Sequence, residues 1–285
     1  MYRPLLSNAS VPLVTEVEVI DEAGRTKRIH IPGERALTIF LNKQELVTLM
    51  TLGGEPEALV LGWLRNQRLI KSLEDVISVQ VDWDVEAVAV TATPEALAAW
   101  NASQKQRTVT TGCGQGSMFG DVLSDLDSLQ LDPHARLAQD TLVEVVGAIR
   151  TQPSVYKQAG SVHGCGLFRG SELLIFVEDV GRHNAVDAIA GWMWLNNTSL
   201  DGLVFYTTGR LTSEMVVKGA QMGIPFLLSR SGVTNMGLEM AKRVGLTLVG
   251  RCSGQHFLVY HGAQRIVRNS DAIDQAAAGL TGVPL

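Results

Sequence analysis

Four segments in the C-terminal half pair an apolar, strand-like run with a terminus of glycine and polar residues that includes an arginine. Leu173–Asp179 leads to Gly181-Arg182-His183-Asn184, and Leu203–Tyr206 leads to Thr207-Thr208-Gly209-Arg210. Ile224–Leu228 leads to Ser229-Arg230-Ser231-Gly232, and Leu246–Val249 leads to Gly250-Arg251. Guanidinium groups, hydroxyls and backbone N–H donors are the chemistry that holds phosphate-like anions. Ligands of open α/β sheets gather at the carboxyl ends of the strands, so these termini predict a polyanion pocket. A second kind of chemistry is available at Cys113, set between Gly112 and Gly114 in a small-residue stretch. An accessible thiolate there could pass a sulfur atom between partners, whereas a lone loop cysteine with no such task is inert.

Each of these readings has a plainer counterpart. Asn184 as N-cap with Asp187 three residues later is a weak capping box, and Arg182 could simply pair with Glu178 or Asp179. Thr212 or Ser213 starting a helix after Arg210 is ordinary turn and cap chemistry. His163 and Cys165 could supply two metal ligands, or be a satisfied polar group and a small core thiol. None of the segments contains a Walker A lysine or a dinucleotide Gly-x-Gly-x-x-Gly.

The elements that must position these residues are readable in outline. Thr15–Ile31 alternates around Glu22-Ala23-Gly24, and Ala36–Leu41 with Glu45–Thr48 predicts a hairpin across Asn42-Lys43. Glu55–Leu69 has helical periodicity, and Val76–Val90 returns to strand character. Residues 102–121 are polar and rich in small side chains, which predicts a mobile surface loop. An amphipathic helix is expected from His134 to about Thr151, then a hairpin from Ser161–Phe168 and Glu172–Asp179. From Asn184 onward helices and strands alternate to Val249, with Gly223 and Gly245 at helix C-caps and a last strand at Phe257–Tyr260. This predicts an α/β (α+β overall) protein with three parts. Residues 1–105 form an N-terminal α+β domain, 106–131 a flexible cysteine-bearing loop, and 132–285 a C-terminal domain that carries the strand-end arginines.

At 285 residues, 46% hydrophobic and 19% charged, the chain has the composition of a globular protein with a full core. A net charge of −5 argues against bulk nucleic-acid binding, and no apolar stretch is long enough to span a membrane. The N-terminus lacks a signal-peptide apolar region, so a cytoplasmic location is expected. Three widely separated cysteines do not make a disulfide framework.

Several blocks together resemble the FdhD/NarQ family of formate dehydrogenase accessory sulfurtransferases. They include Glu34–Ile39, Leu46–Met50, Ala58–Leu64, Gly160–His163, Thr208–Met215, Gly223–Ser231 and Gly245–Gly250. The most specific block is Glu178-Asp179-Val180-Gly181-Arg182-His183-Asn184-Ala185-Val186-Asp187. The resemblance implies a cytidine-deaminase-like C-terminal domain with a mixed sheet and flanking helices, a small N-terminal α+β domain and a homodimer. It implies persulfide sulfur received from a cysteine desulfurase on Cys113. That sulfur would then pass to a bis-molybdopterin guanine dinucleotide cofactor of molybdenum or tungsten, before insertion into the catalytic subunit of formate dehydrogenase.

On this resemblance the ligand of the strand-end arginines is a guanine nucleotide, with GDP as a mimic and no intrinsic metal. Arg182, His183, Asn184, Thr208, Gly209, Arg210, Ser229, Arg230 and the stretch Arg251, Cys252, Ser253, Gly254, Gln255, His256 would hold it. The family's loop carries Cys-x-x-Cys, whereas this chain has Cys113-Gly114-Gln115-Gly116, which excludes a resolving disulfide within the loop. His163 aligns with a zinc ligand of deaminases, but the catalytic glutamate and the Pro-Cys-x-x-Cys are missing, so deaminase chemistry is not expected. Two alternatives remain at this point: a chaperone that binds and delivers the cofactor without moving sulfur, and a metal hydrolase using His163 and Cys165.

Overall fold

Turn chemistry and alternation build the first part of the chain. The computed structural model describes residues 2–103, 110–112, 115–117, 129 and 131–268. Its strands begin with β1 (Leu5–Leu6), β2 (Val14–Ile20), β3 (Thr26–Pro32), β4 (Arg35–Leu41) and β5 (Gln44–Thr51). β6 (Val76–Asp82) and β7 (Ala87–Ala92) follow the first helix, α1 (Pro56–Asn66). A mixed five-stranded sheet runs β1-β6-β7-β4-β5, while β2 and β3 pair only with each other. The β4–β5 hairpin turns at Asn42 and Lys43, both at positive φ, as the sequence predicts. The strand character of Val76–Val90 resolves into the antiparallel pair β6 and β7.

Past the helix α2 (Pro94–Ser103), β8 (Thr110–Gly112) and β9 (Gln115–Ser117) form a short antiparallel ladder inside the segment expected to be loop. Cys113 lies outside the described residues.

By its contacts the chain divides into two units whose segments interleave. One comprises Met1–Leu126, Pro153–Cys165 and Ile175–Ser199; the other comprises Asp127–Gln152, Gly166–Leu174 and Leu200–Leu285. The expected boundary at residue 132 assigned 153–165 and 175–199 to the C-terminal part, whereas their contacts lie with the first unit.

The reason is a helix crossing. α1 packs against α5 (Arg182–Leu195) so closely that a Cβ on Gly62 would sit 1.7 Å from the Asp187 carbonyl oxygen. A Cβ on Gly191 would sit 1.9 Å from the Ala58 carbonyl oxygen. Both helices are buried over nearly their whole lengths, which makes this pair the centre of the first unit.

The second unit opens with β10 (Leu137–Ala138) and α3 (Gln139–Thr151). The helix starts later than the expected His134 because Leu137 and Ala138 pair as a strand with β17 (Ile266–Val267). The remaining helix of the first unit, α4 (Val155–Ala159), precedes the hairpin β11 (His163–Arg169) and β12 (Glu172–Asp179). That hairpin is followed by β13 (Leu203–Thr207), α6 (Ser213–Gln221), β14 (Phe226–Ser229), α7 (Asn235–Val244), β15 (Thr247–Ser253) and β16 (His256–His261).

The sheet order is β12-β11-β13-β14-β15-β16, with β13, β14 and β15 parallel and β16 antiparallel. The mixed α+β class expected from the sequence is the class observed. Leu142, Val145 and Val146 of α3 pack with Val204, Tyr206, Phe226, Leu228 and Val249 in the second unit's core. Each such fully buried side chain contributes about 1.5–3 kcal/mol. No helix among the described residues is long and apolar enough to cross a membrane.

Candidate functional site

Three of the four arginine-bearing strand ends belong to the second unit, at the carboxyl ends of the adjacent parallel strands β13, β14 and β15. Their turns are tied to one another by short polar bonds. Ser229 Oγ, fully buried, donates to the Gly209 carbonyl at 2.6 Å and accepts from the Ser231 amide at 2.9 Å. The Thr207 hydroxyl accepts from the Gly209 amide at 3.1 Å, and the Arg230 amide donates to the Thr207 carbonyl at 3.1 Å. Across the next gap, the Arg251 amide donates to the Ser231 carbonyl at 2.8 Å. These bonds satisfy the backbone at the strand ends and leave the side chains of Arg210, Arg230 and Arg251 exposed on one rim.

Arg251 has φ +57°, a left-handed conformation costly for a side-chain-bearing residue, and it lies in the register shift between Gly250 and Ser253. The irregularity lays its guanidinium against the β14–α7 turn, where a Cβ on Gly232 would come within 3.5 Å of Nη2. Thr208 is half-buried beside Gly209. Ser253, Gly254, Gln255 and His256 form the turn of the β15–β16 hairpin, with Ser253, Gln255 and His256 exposed and Gly254 at φ +59°. Cys252 differs from its neighbours. It is 1% exposed within the core, and burial pushes its thiol up to about 11, so its sulfur does not face the rim. What the bonds fix is the backbone of these turns, from which three exposed guanidinium groups project near adjacent strand ends.

Arg182, His183 and Asn184 belong to the first unit and form a separate group. The sequence reading makes Asn184 the N-cap, with Arg182 and His183 in the preceding turn. The structure corrects this: Gly181 is the N-cap, and all three residues lie in the first turn of α5. Asn184, 2% exposed, is drawn into the helix by tertiary partners, donating to the Met50 carbonyl and to Asp179 Oδ1, each at 2.7 Å. Asp187, the expected capping partner, instead accepts from Asn66 Nδ2 at 2.7 Å inside the α1–α5 contact.

Asp179 also accepts from Thr51 Oγ1 (2.6 Å), the Leu52 amide (2.9 Å) and the Gly181 amide (2.9 Å). Burial pushes its carboxyl up, against the lowering effect of these donors. Glu178 accepts from Ser154 Oγ and the Val155 amide, so both carboxylates suggested for Arg182 carry bonds from other residues. Asp179 and its partners were missed as site-forming residues, although Asp179 lies within the block Glu178–Asp187. Their signal is spatial, since Thr51 and Leu52 are more than a hundred residues away in sequence.

His163 is half-buried at the start of β11, and Cys165 is fully buried. Among the described residues no group of three or more His, Cys, Asp or Glu is placed to hold a metal ion.

Comparison with known proteins gives a consistent result. A sequence profile described as the FdhD/NarQ family matches residues 32–267. The sulfur carrier protein FdhD of Listeria innocua is 30% identical over 86% of this chain and 95% of its own length. The protein of the same name from Halalkalibacterium halodurans is 26% identical over 94% of this chain and 97% of its own. Among solved structures, one from Desulfotalea psychrophila, provisionally designated a formate dehydrogenase accessory protein, superimposes with a TM-score of 0.70 at 29% identity. It covers 90% of this chain and 100% of its own.

Proposed function

Because the chain belongs to the FdhD/NarQ family, we propose that it is a sulfur carrier, a sulfurtransferase serving formate dehydrogenase. The Cys113 thiolate attacks the terminal sulfur of a persulfide on a cysteine desulfurase. The S–S bond of the donor breaks, its cysteine leaves as a thiolate, and Cys113 becomes the persulfide. Passing that sulfur to an acceptor returns Cys113 to the thiolate.

The acceptor in this reading is a bis-molybdopterin guanine dinucleotide carrying molybdenum or tungsten, treated as cargo rather than as a resident group. The observation that carries this part is the rim of the second unit. Exposed Arg210, Arg230 and Arg251 stand on turns locked by Ser229 and Thr207, with the Arg251 guanidinium lying beside Gly232. Such a rim suits the phosphates of a guanine nucleotide, and the exposed Ser253, Gln255 and His256 extend it with further hydrogen-bond donors. The partners would be the desulfurase, the catalytic subunit of formate dehydrogenase and a second copy of the chain.

Two measurements test this reading. Titration with GDP should show binding that weakens roughly tenfold or more in Arg210→Ala, the loss of one charge-assisted pair. Equal affinity in the two proteins overturns the rim as the nucleotide site. After incubation with a cysteine desulfurase and cysteine, mass spectrometry should find one added sulfur atom on Cys113, absent from Cys113→Ala. That variant should also fail to support formate dehydrogenase activity.

The absence of a second cysteine in Cys113-Gly114-Gln115-Gly116 favours one other reading, a chaperone that delivers the cofactor without transferring sulfur. GDP binding with no sulfur on Cys113, and full support of the dehydrogenase by Cys113→Ala, would select it.

A further inference from the structure

The sequence reading places Ser229 among the residues that hold the nucleotide, yet it is fully buried and its hydroxyl is engaged twice. A hydroxyl has one proton, and this one goes to the Gly209 carbonyl at 2.6 Å, which leaves none for a ligand. Thr207, its register partner at the end of β13, accepts from the amide two residues on (Gly209, 3.1 Å), as Ser229 does from Ser231 (2.9 Å). To that local turn Ser229 adds a bond that crosses to the neighbouring strand end, the one that carries Arg210.

The crossing bond sets a backbone direction. The peptide bonds are trans, and in a trans peptide the carbonyl and the following N–H point opposite ways. With the Gly209 carbonyl turned onto Ser229, the Arg210 N–H faces away from it. Arg210 is exposed, and its N–H makes no hydrogen bond among the described residues. The Leu211 amide donates to the Gly232 carbonyl at 3.0 Å, so the peptide groups on both sides of Arg210 are pinned to the β14–α7 turn. A Cβ on Gly237 would lie 2.5 Å from the Leu211 carbonyl oxygen, which shows how closely α7 holds this segment. An amide fixed in advance binds an anion without the cost of first being turned and ordered.

We infer that Ser229 is a positioning residue: by holding the Gly209 carbonyl it presents the Arg210 N–H, on the same residue as the guanidinium, to a phosphate oxygen of the nucleotide. The inference rests on the nucleotide reading of the rim and deepens it. The anion is then met by a directed backbone donor as well as by long, rotatable side chains, and Ser229 acts without touching it.

The test joins GDP titration of the full-length protein to the NMR signal of one amide. In protein whose arginines are isotopically labelled at the α-nitrogen, the Arg210 N–H is the signal missing from Arg210→Lys. Saturating GDP should move it downfield in the wild type and in Ser229→Thr, whose hydroxyl can make both bonds, and leave it in place in Ser229→Ala. Ser229→Ala should bind GDP about fivefold more weakly, the loss of one well-placed neutral hydrogen bond, and Ser229→Thr should restore the affinity. Thermal melts check folding. Should one Ser229 variant not fold, the wild-type signal and the other variant decide. An Arg210 signal that GDP leaves unmoved, or wild-type affinity in Ser229→Ala, overturns the inference. Weaker binding in Ser229→Ala with the signal still moving overturns it too, because the hydroxyl would then be merely structural. The two readings fail separately. Unchanged GDP affinity in Arg210→Ala removes the rim itself, whereas weakened binding in Arg210→Ala beside an unmoved amide removes only the positioning role.

Discussion

Asp179 meets four donors with two oxygens, and each oxygen receives two of them. Replacing it with asparagine keeps the shape but points an NH2 at a pair of donors, whichever way the amide is turned. Thr51 can rotate its hydroxyl to accept, yet the Leu52 amide on the same side cannot. Asp179→Asn should therefore destabilise the protein by about 2–3 kcal/mol, read as a shifted denaturant midpoint. An unchanged midpoint would show that the network is dispensable. Cys252 makes the opposite kind of prediction. Its thiol is raised from 9.0 to about 11 by burial, so native protein should resist alkylation there at neutral pH and react only when unfolded. The linkage follows in sign: the stability held by the neutral thiol is complete below 9.0 and lost as pH climbs through about 11.

At the scale of elements, the α1–α5 crossing depends on two glycines. Gly62→Ala or Gly191→Ala would place a methyl carbon less than 2 Å from a carbonyl oxygen of the facing helix. The helices must separate, and each variant should lose about 3 kcal/mol, visible as a lowered Tm with secondary structure retained.

What the sequence discloses at this scale has a pattern. Hairpins announced by local turn chemistry, such as Asn42-Lys43, were legible because the signal and the structure occupy the same few residues. The parallel strands ending in Thr207, Ser229 and Ser253 were legible for a similar reason, each closed by its own polar turn. Elements whose ends are set by distant partners were not. Asn184 has the propensity of an N-cap, but Asp179 and Met50 take its amide and the N-cap lies three residues earlier, at Gly181. Ile266 and Val267 claim Leu137 and Ala138 before the helix expected at His134 can begin. The Thr110–Ser117 ladder was hidden by small side chains that carry no apolar alternation.

On the scale of the whole molecule, interleaving is the dominant fact. The three segments of the first unit are separated by two segments of the second. A fragment ending at residue 131 contains α1 without α5 and leaves buried positions such as Leu59, Val60, Leu61 and Leu64 without their cover. It should show no cooperative thermal transition, and a sharp transition would mean that the N-terminal sheet sustains itself. Charge acts at this scale too. With a net charge of −5, attraction to anions is confined to the local arginine and histidine groups, so GDP binding should weaken with added salt while bulk nucleic acid stays unbound.

The glycine-to-glycine seat between Gly62 and Gly191 also sets a timetable for biosynthesis. Well over a hundred residues separate the two, and translation at about 5–20 residues per second leaves the earlier helix waiting on the order of ten seconds for its mate. Throughout that interval the apolar run Ala58–Leu64 of the earlier helix lacks its mate, which makes the nascent chain a natural client for holding chaperones.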